Sequence, residues 1–505
     1  MGWWRYRCLP GRPLLWPYRS PRHVRTHLLR LSGPLLAWLV YLWLGQLGPR
    51  PAAMAAIVAW MAIWWISEAV PLAVTSLLPL VLFPMFGIDG VAGTAVNYGK
   101  EIIFLFLGGF LLALAMERSG LHRRIALRVV RRVGGTGPRL ITGIMLSTAL
   151  LSMWMNSTSC VLVMLPIALS LLDGDGDPEL RGRLTVPLLL AVAYGATIGG
   201  MATPVGTPPN LVFMELWRDR YPQLPPIGFG RWMAFGVPLM VVYLGVVWWL
   251  LTRVLFRVPR QPISTPAQVQ ERLRALGPFS AAERLAALVF AGTALLWITG
   301  DDIALSEQVT LRGWRSLTGC TDLTDGAVAL LGALILFLVP LPRPVDQAGN
   351  GPPYALLDWK YAEANVPWGV LLLFGGGFAL AHGIDESGLS VRLVATLQSL
   401  QDLPHPLLIA AVSGLVCVLS ELGSNTAVAS LTLPLLAQST DAWGVAPETV
   451  LIPATLAATL GFALPVASPM QAIVFGSGRI PVRQMVRAGI WVDLVGIALI
   501  TMLFS

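Results

Sequence analysis

Charge is what this chain has least of. Only 12% of its 505 residues are Asp, Glu, Lys or Arg, about half the roughly 25% that soluble domains carry. With 55% hydrophobic residues and a mean hydropathy of +0.69, this excludes a soluble globular protein. It predicts a polytopic membrane protein with many apolar windows of about 20 residues. Histidine and cysteine are also scarce, five and four residues. Cys8, Cys160, Cys320 and Cys417 are scattered, and two of them lie in apolar segments. Neither a disulfide framework nor a metal site is therefore expected. The chain has no Ser/His/Asp constellation and no phosphate-cradling glycine loop followed by Lys, so no enzyme is expected. The first 30 residues are Arg-rich and lack a clean apolar run ending in small residues, so no cleavable signal peptide is expected.

The charge that is present is basic, +8 overall. Nucleic acid would be one partner for such a balance. Arginines in loops on one side of a membrane explain it better. Arg5, Arg7, Arg12, Arg19, Arg22, Arg25 and Arg30 come without one acid before the first apolar window. That places the N-terminus in the cytoplasm, with no nucleic-acid partner.

An internal repeat organises the rest. LLSMWMNSTSCVLVMLPIALS holds Asn156, Ser157 and Thr158 between two apolar arms, and VCVLSELGSNTAVASLTLPLL holds Ser424, Asn425 and Thr426. Thr426 minus Thr158 is 268, and so are Pro434 minus Pro166 and Gly388 minus Gly120. One register held this far is a duplication. The segment 137–172 is apolar but interrupted at its centre, and 403–440 is interrupted likewise. Each alone reads as a spanning helix with tolerated polar groups, but the recurrence favours a re-entrant hairpin. After each hairpin a span breaks, at ATPVGTPPN (Ala202–Asn210) and at ALPVASPMQAI (Ala463–Ile473), where prolines and glycine cannot continue a helix.

Other spans are expected near 33–48, 52–67, 70–87, 101–117, 232–252, 285–300, 326–341, 367–384 and 483–503. With the two broken ones they make about eleven, which puts the C-terminus outside and Arg479, Arg483 and Arg487 inside. Gly108 and Gly109 mark a close helix approach. HRRIALRVVRR, with Arg123, Arg124, Arg128, Arg131 and Arg132, reads as a basic amphipathic helix in the inner interface. Its repeat partner SVRLVATLQSLQD has only Arg392. One basic and one weakly charged copy suggest opposite membrane sides, hence an inverted-topology repeat.

Two tips and two breaks then converge at the midplane. Ser, Thr and Asn donors beside helix N-termini favour an anion. Unwound carbonyls with hydroxyl and amide oxygens favour a small hard cation such as sodium. Two acids stand out in apolar sequence, Glu421 and Asp493, and an acid at that depth is either functional or satisfied by a neighbour. His382 is placed near a span end.

The motifs SMWMNST, ATPVGTPPN, SELGSNTA and ALPVASPMQAIVFGSG make the chain, over about residues 50–505, resemble the divalent-anion/sodium symporter family of di- and tricarboxylate and sulfate transporters. The resemblance implies an all-α fold of scaffold and transport domains that moves as an elevator, working as a homodimer in the plasma (inner) membrane. It implies substrate contacts from Asn156, Ser157, Thr158, Thr207, Ser424, Asn425, Thr426 and Ser468. It implies one sodium site from Ser152, Asn156, Ser157 and Gly206, and a second from Ser420, Ser424, Asn425, Ala467 and Pro469. The divisions expected are a basic tail (1–32), scaffold helices (33–136), the first transport half (137–256), a cytoplasmic linker (257–284), further scaffold (285–402) and the second transport half (403–505). The implied activity is import of a small dianion, a C4-dicarboxylate such as succinate or malate, coupled to sodium with no other cofactor. This chain departs from the family at two places. Its first tip reads Asn-Ser-Thr, not Ser-Asn-Thr, and its second break reads Ser-Pro-Met-Gln where the family usually has Thr-Pro-Pro-Asn. A sodium-independent exchanger and a proton-coupled carrier stay open as alternatives.

Overall fold

In a lipid core every backbone N–H and C=O must be satisfied within the segment, and a helix does this. The computed structural model describes residues 23–133, 136–172, 178–261, 265–304, 310–342, 354–389 and 403–505. The basic tail before residue 23 and SVRLVATLQSLQD (390–402) lie outside the described residues.

Helices α1 (His23–Trp43) and α2 (Pro49–Ser67) pack side by side. The span expected at 70–87 is instead two pieces, α3 (Leu72–Thr75) and α4 (Leu78–Met85), parted at Ser76–Leu77. Pro79, at the start of the second piece, has no N–H to give the ladder. After α5 (Val91–Val96) comes α6 (Glu101–Ser119), then α7 (Leu121–Val133). Helix α7 is amphipathic as expected: Leu121, Ala126, Leu127 and Val130 are buried, and Arg123, Arg128, Arg131 and Arg132 are exposed.

The interrupted segment forms α8 (Gly137–Ser152) and α9 (Ser157–Leu172), and the broken span forms α10 (Pro178–Gly200) and α11 (Pro208–Arg220). Helix α12 (Phe229–Trp249) runs on through a π-turn. The basic linker contains α13 (Thr265–Ala275), and α14 (Ala281–Ile298) opens on a capping box of Ser280 and Glu283. Then follow α15 (Trp314–Thr318), α16 (Asp325–Leu338), α17 (Trp359–Asn365) and α18 (Trp368–Glu386). The second copy repeats the plan: α19 (His405–Leu422), α20 (Asn425–Trp443), α21 (Glu448–Thr459), α22 (Pro469–Gly476) and α23 (Val482–Phe504).

Among the described residues eight helices are long and apolar enough to cross a membrane, and several shorter apolar helices accompany them. The chain is a multi-pass helical membrane protein. Helix α10 is central, 83% of its apolar window being buried, against 22% for α14 at the periphery. The halves interlock: α11 packs on α20 and α21, and α22 packs on α9 and α10. Gly108 marks a close approach, since a Cβ there would stand 2.5 Å from Ala329 Cβ on α16; Gly109 has more room. His382 pairs with Asp89 at 3.3 Å.

Arg124 departs from its neighbours on α7. It is buried, with Nε 2.6 Å from Glu283 Oε1 and its other nitrogens donating to the carbonyls of Leu276, Gly277 and Pro278. The basic face is thus anchored to the start of α14. Removing one partner of such a buried pair costs about 3–5 kcal/mol, because the other charge is left uncompensated. Arg124→Ala is expected to lower the melting temperature in detergent sharply, and Arg124→Met with Glu283→Leu to recover most of the loss.

Candidate functional site

The first tip is Met153–Asn156, between α8 and α9. Asn156 Oδ1 accepts from the Thr158 N–H at 2.8 Å, capping α9. Asn is a preferred residue at such a cap. Ser152 Oγ lies 2.6 Å from the Ala196 carbonyl and 2.8 Å from Ser157 Oγ. Ser157 Oγ also stands 3.4 Å from the carbonyls of Ala196 and Gly206. Gly206 belongs to the first break and must be glycine, because a Cβ there would fall 2.4 Å from the Gly200 carbonyl oxygen.

The second tip repeats this plan. Ser420 Oγ lies 2.5 Å from the Ala458 carbonyl and 2.9 Å from Asn425 Oδ1. Asn425 Nδ2 reaches the Thr459 carbonyl at 3.4 Å. In each half, a buried serine in the last turn of the first arm joins the first residue of the second arm to a carbonyl of the broken helix. Ser468 caps α22, its Oγ accepting from the Gln471 N–H at 3.4 Å. Ser420 stands beside the second break, its carbonyl 3.5 Å from where a Gly461 Cβ would be, as is Ala467 Cβ.

Proton count decides what these clusters can hold. A hydroxyl has one proton and two lone pairs. Ser420 Oγ faces two acceptor oxygens with one proton to give. Around the first tip, two hydroxyl protons serve three acceptors: the Ala196 and Gly206 carbonyls and one of the two hydroxyl oxygens. Oxygen clusters short of protons suit a small hard cation. Buried Thr207 and Thr426 and half-buried Thr158 and Ser424 are the chain neighbours of Gly206, Asn425 and Ser157.

The structure therefore brings Ser152, Ser157 and Gly206 into one cluster, and Ser420, Asn425 and Ala467 into another. The two halves meet where Thr158 Oγ1 stands 3.7 Å from Met470 Sδ. Asn156 is different: its side-chain oxygen is committed to the α9 cap. Ser424 and Pro469 take the helix-entry positions of α20 and α22, and the Ser424 side chain does not cap α20.

Several residues that hold the breaks were not assigned from sequence. Asn210 Nδ2 donates to the carbonyls of Gly200 (3.3 Å) and Thr203 (2.8 Å), and Trp232 Nε1 to that of Met201 (3.0 Å). Thr203 Oγ1 donates to the Met153 carbonyl, tying the first break to the first tip. In the second half the Glu421 carboxylate accepts from the N–H groups of Ala463 (2.7 Å) and Leu464 (2.8 Å). Asn210 could have been found, since it closes the ATPVGTPPN motif. Glu421 was visible as an acid in apolar sequence, but its partners lie about forty residues away.

Residues 35–505 match the family described as sodium:sulfate symporter transmembrane region. The chain is 36% identical over 482 residues to the sodium-dependent dicarboxylate transporter SdcS of Staphylococcus saprophyticus, covering 94% of this chain and 89% of that one. It is likewise 36% identical over 480 residues to SdcS of Staphylococcus aureus, covering 93% and 89%. In fold alone it is similar to the Alcanivorax borkumensis YdaH transporter, with TM-score 0.53, 18% identity and coverage of 81% and 86%. The Neisseria gonorrhoeae efflux pump MtrF gives TM-score 0.56 at 14% identity, covering 92% and 97%.

Gln471 occupies the place in the second break that Asn210 has in the first. It is fully buried, and neither polar atom of its side chain has a hydrogen-bond partner among the described residues. Burying an unpaired polar group costs about 1–3 kcal/mol. Gln471→Leu is expected to raise the melting temperature in detergent by a few degrees, and an unchanged or lower value would contradict this account.

Proposed function

Because the chain belongs to the sodium:sulfate symporter family, we propose that it is a secondary active transporter importing a small C4-dicarboxylate, such as succinate or malate, together with sodium. The observation that carries this reading is the pair of proton-poor oxygen clusters, one beside each helix break. Sodium-dependent dicarboxylate transport, named for both SdcS relatives, is the activity such clusters suit.

In this reading α8–α9 and α19–α20 are re-entrant hairpins within about eleven spans, in an inverted repeat. The N-terminus is cytoplasmic and the C-terminus outside. Ser152, Asn156, Ser157 and Gly206 hold one sodium; Ser420, Ser424, Asn425, Ala467 and Pro469 hold another. Each ion supplies the positive charge that the tips lack. The dianion then docks on Asn156, Ser157, Thr158, Thr207, Ser424, Asn425, Thr426 and Ser468, helped by the N-terminal ends of α9 and α20. A fixed Lys or Arg at that depth would be costly and would hinder release. A sodium ion leaves with its substrate.

Residues 137–256 and 403–505 form the moving transport domain, 33–136 and 285–402 the scaffold, and two protomers pair through their scaffolds. Ion pairs cross between the two domains at one end. Lys100 lies 3.6 Å from Glu215, Arg218 meets Glu101, and Arg220 lies 3.4 Å from Asp385, which Gln438 also reaches at 2.6 Å. The Arg218–Glu101 and Arg220–Asp385 pairs are open to solvent, and pairs of this kind are worth only about 0–1 kcal/mol each, so they permit an elevator motion that must break them; Glu215, by contrast, is buried.

A sodium-independent exchanger on the same fold is the second reading. It is favoured by Asn156, whose side-chain oxygen is taken up by the Thr158 N–H in capping α9. Purified protein in liposomes separates the two. Labelled succinate should enter with an inward sodium gradient and not without one, whereas uptake that needs internal succinate and ignores sodium would make the chain an exchanger. Asn425→Ala and Thr426→Ala are each expected to reduce uptake to background while the protein stays monodisperse; normal transport by both would overturn the assignment of the second tip.

A further inference from the structure

The two breaks are held by opposite chemistry. At the first, side-chain donors meet backbone carbonyls, from Asn210 and Trp232. At the second, carboxylates meet three consecutive backbone N–H groups. Asp493 Oδ1 accepts from Phe462 at 3.3 Å, and Glu421 accepts from Ala463 and Leu464 at 2.7 and 2.8 Å. The Gln471 amide, at the position of Asn210 in the first break, makes no such bond.

Asp493 reaches the break because α23 has no side chains in the way. A Cβ at Gly489 would stand 2.2 Å from the Phe462 carbonyl oxygen, and one at Gly496 2.5 Å from Tyr243 Oη. Gly489, Asp493 and Gly496 follow the i, i+4, i+7 spacing of a single helix face. Helix α12 makes the matching approach to the first break at Gly236, where a Cβ would be 2.9 Å from the Ala202 carbonyl oxygen. Four residues after Gly236 stands Met240; four after Gly489 stands Asp493. The acid is thus particular to the second half. Glu421 and Cys417 from α19, Tyr194 from α10 and Tyr243 from α12 face it.

We propose that Asp493 is a positioning residue for the second cation site, acting as a hydrogen-bond acceptor and not as a proton carrier. With Glu421 it takes up the N–H groups of Phe462–Leu464. This holds the unwound segment in place against Ser420 and Asn425, on which the ion depends. The inference rests on reading that cluster as a sodium site. An asparagine at 493 keeps an acceptor for the Phe462 N–H and offers Glu421 an amide donor; an alanine does neither.

The test compares wild type, Asp493→Asn and Asp493→Ala in proteoliposomes. It reads the sodium concentration for half-maximal succinate uptake, the succinate KM at saturating sodium, and the pH profile of uptake. Asn is expected to stay within about twofold of wild type with its pH profile unchanged. Ala is expected to need about fivefold more sodium, the size of one lost hydrogen bond, with KM at saturating sodium little altered. Loss of uptake in a folded Asn variant, or a flattened pH profile, would make Asp493 a proton carrier and overturn the proposal. An Ala variant with wild-type sodium activation would also overturn it. If the Ala variant does not insert, the Asn variant still decides. A wild type indifferent to sodium overturns the proposed function and this inference with it, whereas a sodium-activated wild type with an unaffected Ala variant overturns this inference alone.

Discussion

Backbone that leaves the helix inside an apolar protein must find partners for its N–H and C=O groups, and each group left bare there costs several kcal/mol. Both halves of this chain are arranged around that requirement. The tip serines, Ser152 and Ser420, are spent on carbonyls of the broken helices. Asn210 and Trp232 serve carbonyls of the first break, and Glu421 and Asp493 serve N–H groups of the second. A hydroxyl that gives its proton to one carbonyl keeps lone pairs for something else. The groups that stabilise the breaks therefore also leave oxygen atoms that a cation can share. In the proposed reading, structural satisfaction and ion affinity come from the same atoms.

How much of this could be read in advance depended on sequence distance. The tips, the breaks and the duplication are local or strictly periodic, so Asn156–Thr158, Ser424–Thr426 and the proline-rich breaks were legible, and α8, α9, α19 and α20 lie where the interrupted segments predicted. The break between α3 and α4 was missed because the window is largely apolar, although Thr75, Ser76 and Pro79 lie at the break. Arg124 looked like its four exposed neighbours on α7, and nothing local reveals Glu283, 159 residues away. The anchoring of Phe462–Leu464 by Glu421 and Asp493 was hidden for the same reason: residue type showed two acids in apolar sequence, while their partners depend on how α19, α21 and α23 converge.

The swapped first tip gains a physical meaning from the geometry. Asn156 stands where a helix cap is needed, and its side chain supplies the cap. Ser157 stands where Asn425 stands in the second copy. The first tip thus presents a short hydroxyl to the Gly206 carbonyl, while the second presents an amide to the Thr459 carbonyl. A shorter group leaves more of the surrounding carbonyl oxygen uncommitted.

The two copies have kept their geometry and changed their chemistry, and steric cost explains which positions could change. Gly236 and Gly489 lie so near the breaks that a methyl group would overlap backbone, and backbone cannot step aside. Overpacking of this kind costs about 1–3 kcal/mol or more, so glycine persists in both copies. The bracing groups are under a weaker constraint. A bare carbonyl can be met by an amide, an indole or a hydroxyl, and a bare N–H by either carboxylate oxygen, provided that something is there. Ser157 and Asn425 are an exchange of this second kind, while Met240 against Asp493 and Asn210 against Gln471 show a bracing group present in one copy and lacking in the other. Divergence at such positions alters the charge and the number of free oxygens around each break without disturbing the helix packing that places it. A duplicated fold can in this way arrive at two breaks of unequal character.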